Sequence, residues 1–392
     1  MAEKEENREN ITELGHYRRK QQKKFLFRNL GIFLAVVLVI FAGVFVWLNL
    51  GESGLKTYVS NVLKNIVSTN HYPISQPTGK VISTGELGNY LLLLDDGGLY
   101  VYSSKGNEML SHEHQYSNPV VSAAGKRYLL YDRGGKKLQV GDLFDNVQES
   151  SFEQNIQMAA ISDSGNYVVV TADDSYANRV TVYNSNGEEL WRWFSPQNLT
   201  AVALSPNGKV VAASSITAEN GTLISTVQLL RIDEDTIRGQ QVLSSEVVAH
   251  LSFLDNGTVH AVTANQVVAL DTSANLLGSY SFGGRSLMYF CDIPGNGTAL
   301  ALAGDSQGHT THLVTLGETA QVQGETDIAD TLTDLTASSG RVLALHSSQV
   351  ESYPINLTQG TTLTVEDGMY IQVAGRYLYA LSGSDIQRLK TK

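Results

Sequence analysis

The sequence predicts an all-β fold: an eight-bladed β-propeller of four-stranded antiparallel blades, with a seven-bladed ring as the alternative, preceded by one transmembrane α-helix. Two observations predict the ring. Eight apolar segments are each followed by a glycine turn and a second apolar segment, with glycines at Gly88, Gly125, Gly165, Gly208, Gly257, Gly297, Gly340 and Gly375. These glycines are 35 to 49 residues apart, the period of propeller blades made of short strands. One such sheet leaves its faces uncovered, so the repeats gain stability only by packing together in a closed ring. A third observation, a long apolar stretch near the N-terminus, predicts the helix.

The third repeat displays the blade pattern best. Residues 157–161 form the first strand, A, and Ser162-Asp163-Ser164-Gly165 the turn. Residues 167–171 form strand B, 173–178 a loop, 180–183 strand C and 189–194 strand D. The fourth repeat restates this with Ser205-Pro206-Asn207-Gly208, and the fifth with Leu254-Asp255-Asn256-Gly257. Proline fixes φ, whereas Asn, Asp and Gly tolerate positive φ, so each supplies turn geometry. Trp191 and Trp193 share one strand face, where inter-blade packing is the expected role.

The last repeat is short of a strand. It offers A at 369–373, B at 377–381 and C at 385–389, and the sequence ends at Lys392. Residues 72–76, before the first blade, are unassigned. An open last blade would expose strand C as an edge. Residues 72–76 are therefore expected to pair with 385–389 and close the ring, with Pro73 tolerated on an outer edge.

The N-terminal region differs in composition. Residues 29–51 carry no charge and no proline, and about 20 apolar residues cross a hydrocarbon core of ~30 Å. The stretch is too long for the apolar region of a cleaved signal peptide, and Val46-Trp47-Leu48-Asn49-Leu50 offers no small-x-small cleavage site. A signal anchor is expected. Arg18, Arg19, Lys20, Lys23, Lys24 and Arg28 crowd its N-terminal flank, which places residues 1–28 in the cytoplasm and the rest outside. The expected domains are thus a basic tail at 1–28, the anchor at 29–51, an amphipathic juxtamembrane helix at 52–70, and an extracytoplasmic propeller at 71–392. The helix at 52–70 follows from Leu55, Val59, Val62, Leu63 and Ile66 at helical spacing.

Charge and cysteine usage narrow the class. Residues 1–28 carry a net charge of +3 and the remainder −14, so the large domain disfavours nucleic acid as a partner. The basic tail suits topology and anionic lipid. Cys291 is the single cysteine, so no intramolecular disulfide forms, which suits a bacterial envelope protein better than an animal ectodomain.

These residues carry a resemblance. Ser205-Pro206-Asn207-Gly208 between apolar strands resembles the turn of WD40-like and TolB-like propellers. Residues 182–191, VYNSNGEELW, resemble the repeat segment of quinoprotein (PQQ-like) propellers. The likeness covers roughly residues 72–392 as repeat pattern alone. No Trp-Asp pair ends a strand C, Gly-His is missing, and one cysteine cannot supply the adjacent pair of quinoprotein dehydrogenases. The whole layout is similar to uncharacterised membrane-anchored propellers of Gram-positive bacteria, which implies fold and place but no activity.

Candidate chemistry is sparse. Gly304-Asp305-Ser306-Gln307-Gly308 fits G-x-S-x-G, but a hydrolase elbow needs a strand followed by a helix, and strand-like segments lie on both sides here. His112-Glu113-His114 and His309-x-x-His312 carry metal-ligand types without a third converging ligand, so solvated loop histidines are expected. Asp95-Asp96-Gly97-Gly98, Asp173-Asp174 and Asp233-Glu234-Asp235 lack the spaced calcium pattern and read as hairpin turns. No catalytic residue, metal or cofactor is assigned.

The expected function is recognition: a membrane-anchored binding or scaffold propeller of the bacterial envelope, held by lipid through its helix, for a protein or wall-polymer partner. An envelope hydrolase or lyase using the propeller funnel is the alternative. Binding is expected on the face of the B–C and D–A connections, which are longer than the A–B turns and richer in polar and aromatic groups, as at 112–118, 173–178 and 217–222. The candidate binding residues are His112, Tyr116, Asp174, Tyr176 and Asp305.

Overall fold

A computed structural model of the chain describes residues 34, 37–38, 40–42 and 71–390, apart from 144–146, 235 and 306. The expected tail, most of the anchor and the juxtamembrane helix lie outside these residues. Leu34, Val37, Leu38, Ile40 and Phe41 are helical, with exposed apolar side chains. Among the described residues no helix is long and apolar enough to cross a membrane.

Residues 71–390 form eight four-stranded antiparallel sheets. Blade 1 runs from Val81 to Glu113, blade 2 from Pro119 to Ser151, blade 3 from Ile156 to Ser195 and blade 4 from Asn198 to Ser244. Blade 5 spans Val248 to Ser281, blade 6 Leu287 to Ile328 and blade 7 Asp334 to Thr364. Each is a meander in chain order, A to D. Blade 8 takes A, B and C from Tyr370–Ala374, Tyr377–Leu381 and Asp385–Lys390, and its D strand from Ile74–Ser75 at the other end of the chain. The eight-bladed count and the closing strand are both as the sequence predicts.

Burial explains the ring. Strands B, such as Tyr167–Thr171 and Val259–Thr263, are buried along their whole length. Strands D alternate, as Leu276–Ser281 does, with one side to water. The described apolar core divides into eight clusters, and each joins two successive blades. Burying one such side chain contributes roughly 1.5–3 kcal/mol, so stability resides between the sheets. The cluster joining blade 8 to blade 1 includes Leu91, Leu93, Tyr379 and Ile386. Trp191 is buried and Trp193 half-buried in the cluster between blades 3 and 4, the expected role.

The closing strand pairs Ile74 with Ile386 and Ser75 with Asp385. The Gln76 N–H donates to the Ser384 carbonyl (3.0 Å). Tyr72 packs on Tyr379 with ring centroids 5.4 Å apart, and its hydroxyl donates to the Ser103 carbonyl (2.9 Å). Ser103 belongs to the C–D turn of blade 1, and Ser384 to the B–C loop of blade 8. The chain therefore comes into the ring at the face bearing the A–B and C–D turns.

Turn chemistry differs in two details from expectation. Gly88, Gly125, Gly165, Gly208, Gly257 and Gly375 adopt positive φ between strands A and B. In blade 6 that role falls to Gly295 (φ 72), and Gly297 begins strand B. Residues 217–222, expected as a loop, extend strands Val210–Glu219 and Thr222–Arg231 of blade 4. Asn220 and Gly221 both have positive φ, the two-residue turn that keeps hairpin strands paired to the tip.

On the outer rim, Gly239, Gly278 and Gly324 sit in strands D of blades 4, 5 and 6. A Cβ at these positions would overlap the backbone of Ser273, Thr319 and Asn356 respectively. Each of those residues lies in the C–D turn of the following blade, so that turn presses directly on the sheet.

Candidate functional site

Two adjacent grooves open at the outer half of the ring. The first, of about 630 Å³, lies between blades 1 and 2. The second, of about 530 Å³, lies between blades 2 and 3. Ser150 and Ser151, at the end of the outermost strand of blade 2, line both. Both grooves reach the face of the B–C and D–A connections.

The first groove is built around His114. Strand Glu108–Glu113 ends just before it, and the D–A connection turns there. The His114 Nε2 lies 3.2 Å from the Asp95 carbonyl, which only accepts, so Nε2 carries the proton. The Nδ1 then accepts the Tyr116 N–H (3.3 Å). This neutral tautomer fixes the loop and stacks the His114 and Tyr116 rings, with centroids 5.3 Å apart. Burial, with Glu149 and Asp132 adding to it, pushes the Tyr116 phenol up to about 12, so it stays a neutral donor. On the opposite wall, Gln139 donates to Glu149 (2.8 Å). Its own Oε1 is buried with no hydrogen-bond partner. Lys137 and Glu113 complete the polar rim.

The second groove is the outer part of the seam between blades 2 and 3. On strands B and C of blade 3, Tyr167 pairs with Tyr183, Val169 with Thr181 and Thr171 with Arg179, all on the face toward blade 2. The Tyr167 and Tyr183 rings stack at 5.1 Å, and Phe152 meets Tyr183 edge-on at 6.1 Å. Burial and then Tyr183 raise the Tyr167 phenol to about 12.

The candidate residues are distributed as follows. Tyr116 lines the first groove. His112 is on the outermost strand of blade 1, paired with Leu99, and is not a loop residue. His114, expected to be solvated, is buried, because the D–A loop folds it under Tyr116. Asp174 accepts from Gln154 (2.7 Å), tying the B–C loop of blade 3 to the preceding D–A connection. Tyr176 packs on Phe194 at 5.1 Å and remains exposed. Asp305 is in blade 6, three blades further round, and accepts the N–H groups of Gln307 (2.9 Å) and His309 (3.1 Å). Those bonds hold its carboxyl below the usual range and organise its own loop.

The motif readings resolve similarly. Strands Gly297–Ala303 and Thr311–Leu316 flank the Gly304 to Gly308 loop, so it joins a β-hairpin, and Ser306 lies outside the described residues. Asp95 accepts the N–H groups of Gly97 and Gly98, and Asp173 those of Ser175 and Tyr176. His312 bonds Asp327 (2.7 Å). Among the described residues no group of three His, Cys, Asp or Glu side chains is placed to hold a metal ion.

Sequence reasoning missed Lys137, Gln139, Glu149 and Arg179. One signal was present: Arg179, Thr181 and Tyr183 alternate with valines, whereas strand C of blade 6, Thr311–Leu316, is buried throughout.

A family model described as "Family of unknown function (DUF5711)" matches residues 61–378. No curated protein matches the chain.

Proposed function

The chain belongs to the DUF5711 family, whose function is unknown, and from that premise we propose that it is a membrane-anchored binding propeller of the bacterial envelope that recognises a hydroxyl-rich wall polymer. The pair of adjacent polar grooves carries the reading. Each sets stacked aromatic rings beside fixed hydrogen-bonding groups: His114 and Tyr116 beside Gln139 and Glu149, and Tyr167 and Tyr183 beside Thr171, Thr181 and Arg179. Ring faces cover the carbon skeleton of a sugar or polyol, and amides, carboxylates and hydroxyls meet its oxygens. The buried, unpartnered Gln139 Oε1 supplies an acceptor that a ligand hydroxyl would satisfy. Two grooves sharing one ridge suit an extended ligand better than a compact one.

Binding is favoured over catalysis because the groove serines, Ser150 and Ser151, form no hydrogen bond to a base among the described residues. Anchoring rests on the uncharged stretch at 29–51 and its basic flank.

The test is co-sedimentation of the full-length protein, in neutral detergent, with purified Gram-positive wall fragments. Binding is expected, and Tyr116→Ala, measured well below the variant's own unfolding temperature, should weaken it about tenfold. Binding indifferent to Tyr116→Ala and abolished by changes on the A–B face would overturn the assignment. Capture of an envelope protein in place of wall polymer would overturn the ligand class.

A further inference from the structure

We propose that the groove between blades 2 and 3 is a site for an anionic group, a phosphate or carboxylate, with Arg179 as its counter-ion. The proposal deepens the wall-polymer reading and rests on it: it gives that polymer a negative charge.

Arg179 is half-buried in the groove wall. Its Nε reaches the Thr171 hydroxyl at 3.5 Å, a long contact. No carboxylate lies within ion-pair distance of it among the described residues, although Glu153 lines the same groove. Four other arginines have partners. Arg192, the second cation of the groove, is held by Glu189 at 2.6 Å. Arg231 pairs with Asp233 and Glu234. The half-buried Arg127 and Arg341 donate to the carbonyls of Ser185 (2.7 Å) and Ser352 (2.8 Å).

A partly desolvated guanidinium with no anion is costly to keep, and it has donors to spare. Its planar fork fits two oxygens of one phosphate or carboxylate. Hydroxyls of Thr171 and Thr181 on the same wall, and of Ser150 and Ser151 on the wall opposite, suit the remaining oxygens. The stacked Tyr167 and Tyr183 rings lie beside them for the ligand's carbon frame. The chain as a whole carries a net charge of −11, so its long-range field repels anions. Capture must come from local contacts.

The test is titration of the full-length protein, in neutral detergent, with glycerol 3-phosphate and with glucuronate, against glycerol and glucose. At least one anion should bind and neither neutral analogue should, and the arm that binds tells phosphate from carboxylate. Arg179→Gln should weaken binding ten- to a hundredfold. Arg179→Lys should retain part of it. Glu153→Gln, which removes the competing carboxylate, should strengthen it two- to fivefold. Tyr116→Ala, in the other groove, should leave it unchanged. Equal binding of the neutral analogues, or no response to Arg179→Gln, overturns the proposal. If Arg179→Gln lowers the unfolding temperature, Arg179→Lys and Glu153→Gln decide in its place. Wall binding lost in Tyr116→Ala but indifferent to Arg179→Gln and Glu153→Gln would sink the anion site and leave the receptor reading standing. Anion binding that needs Arg179, in a protein that binds no wall polymer, would do the reverse.

Discussion

Replacing Tyr72 with alanine should loosen the ring at its one junction between chain ends. The Tyr72 ring is half-buried against Tyr379 and Ile386 and lies under the Arg388 guanidinium at 5.4 Å. Losing that partial burial costs about 1.5–2 kcal/mol. Losing the hydroxyl bond to the Ser103 carbonyl (2.9 Å) adds about 1 kcal/mol. The ring and cation contacts add roughly 0.5–1 kcal/mol. The sum is about 3–4 kcal/mol. A domain of roughly 320 residues has an unfolding entropy near 0.7 kcal/mol/K, so each kcal/mol moves Tm by about 1.5 °C. Tyr72→Ala should lower Tm by about 4–6 °C, and Tyr72→Phe by about 1–2 °C. A chain beginning at residue 78 also loses Ile74, both ladder pairs and the Gln76 bond. It should fall further and associate through the exposed strand Asp385–Lys390. Scanning calorimetry, with light scattering at two concentrations, reads all three. A Tm for Tyr72→Ala or the truncated chain within about 1 °C of the parent would refute the closure argument.

Two further predictions concern other seams. Asp334 accepts the Ile371 N–H of the next blade at 2.8 Å, and burial pushes its carboxyl up to about 6. A carboxyl raised in the folded state contributes stability that is full below about pH 4 and lost as pH rises through about 6, on the order of 3 kcal/mol. Asp334→Asn should remove that slope, so its Tm relative to the parent should improve between pH 4 and pH 7; a constant difference would count against the argument. Gly278→Ala must displace the Thr319 backbone, and should cost about 1–3 kcal/mol, whereas Gly340→Ala, in open space and without a positive φ, should cost less, as paired denaturant unfolding would show.

Much of the ring was legible because turn residues and apolar runs act locally. Glycine turns counted the blades, and the missing strand after Leu389 pointed to residues 72–76. The reading failed where one residue supplied a turn in place of another, as Gly295 did for Gly297. It failed also where an Asn220-Gly221 turn let pairing run on through 217–222. The grooves were less legible for a different reason. Arg179-x-Thr181-x-Tyr183 and Lys137-x-Gln139 alternate like strands with one face in water. Whether that face meets solvent or a neighbouring sheet depends on how blades 1, 2 and 3 splay, which no single strand encodes. Tyr116 was found because it lies in a loop. Arg179 was missed because it lies in a strand.

The closing strand makes one blade out of two segments far apart in the sequence. Tyr72 sits at the C–D turn of blade 1, with Ser103 beside it, and Gln76 reaches the opposite face at Ser384. Strand Ile74–Ser75 thus spans the ring from one face to the other beside Asp385–Lys390, and these two segments act as a clasp: neither can peel away without opening the ring.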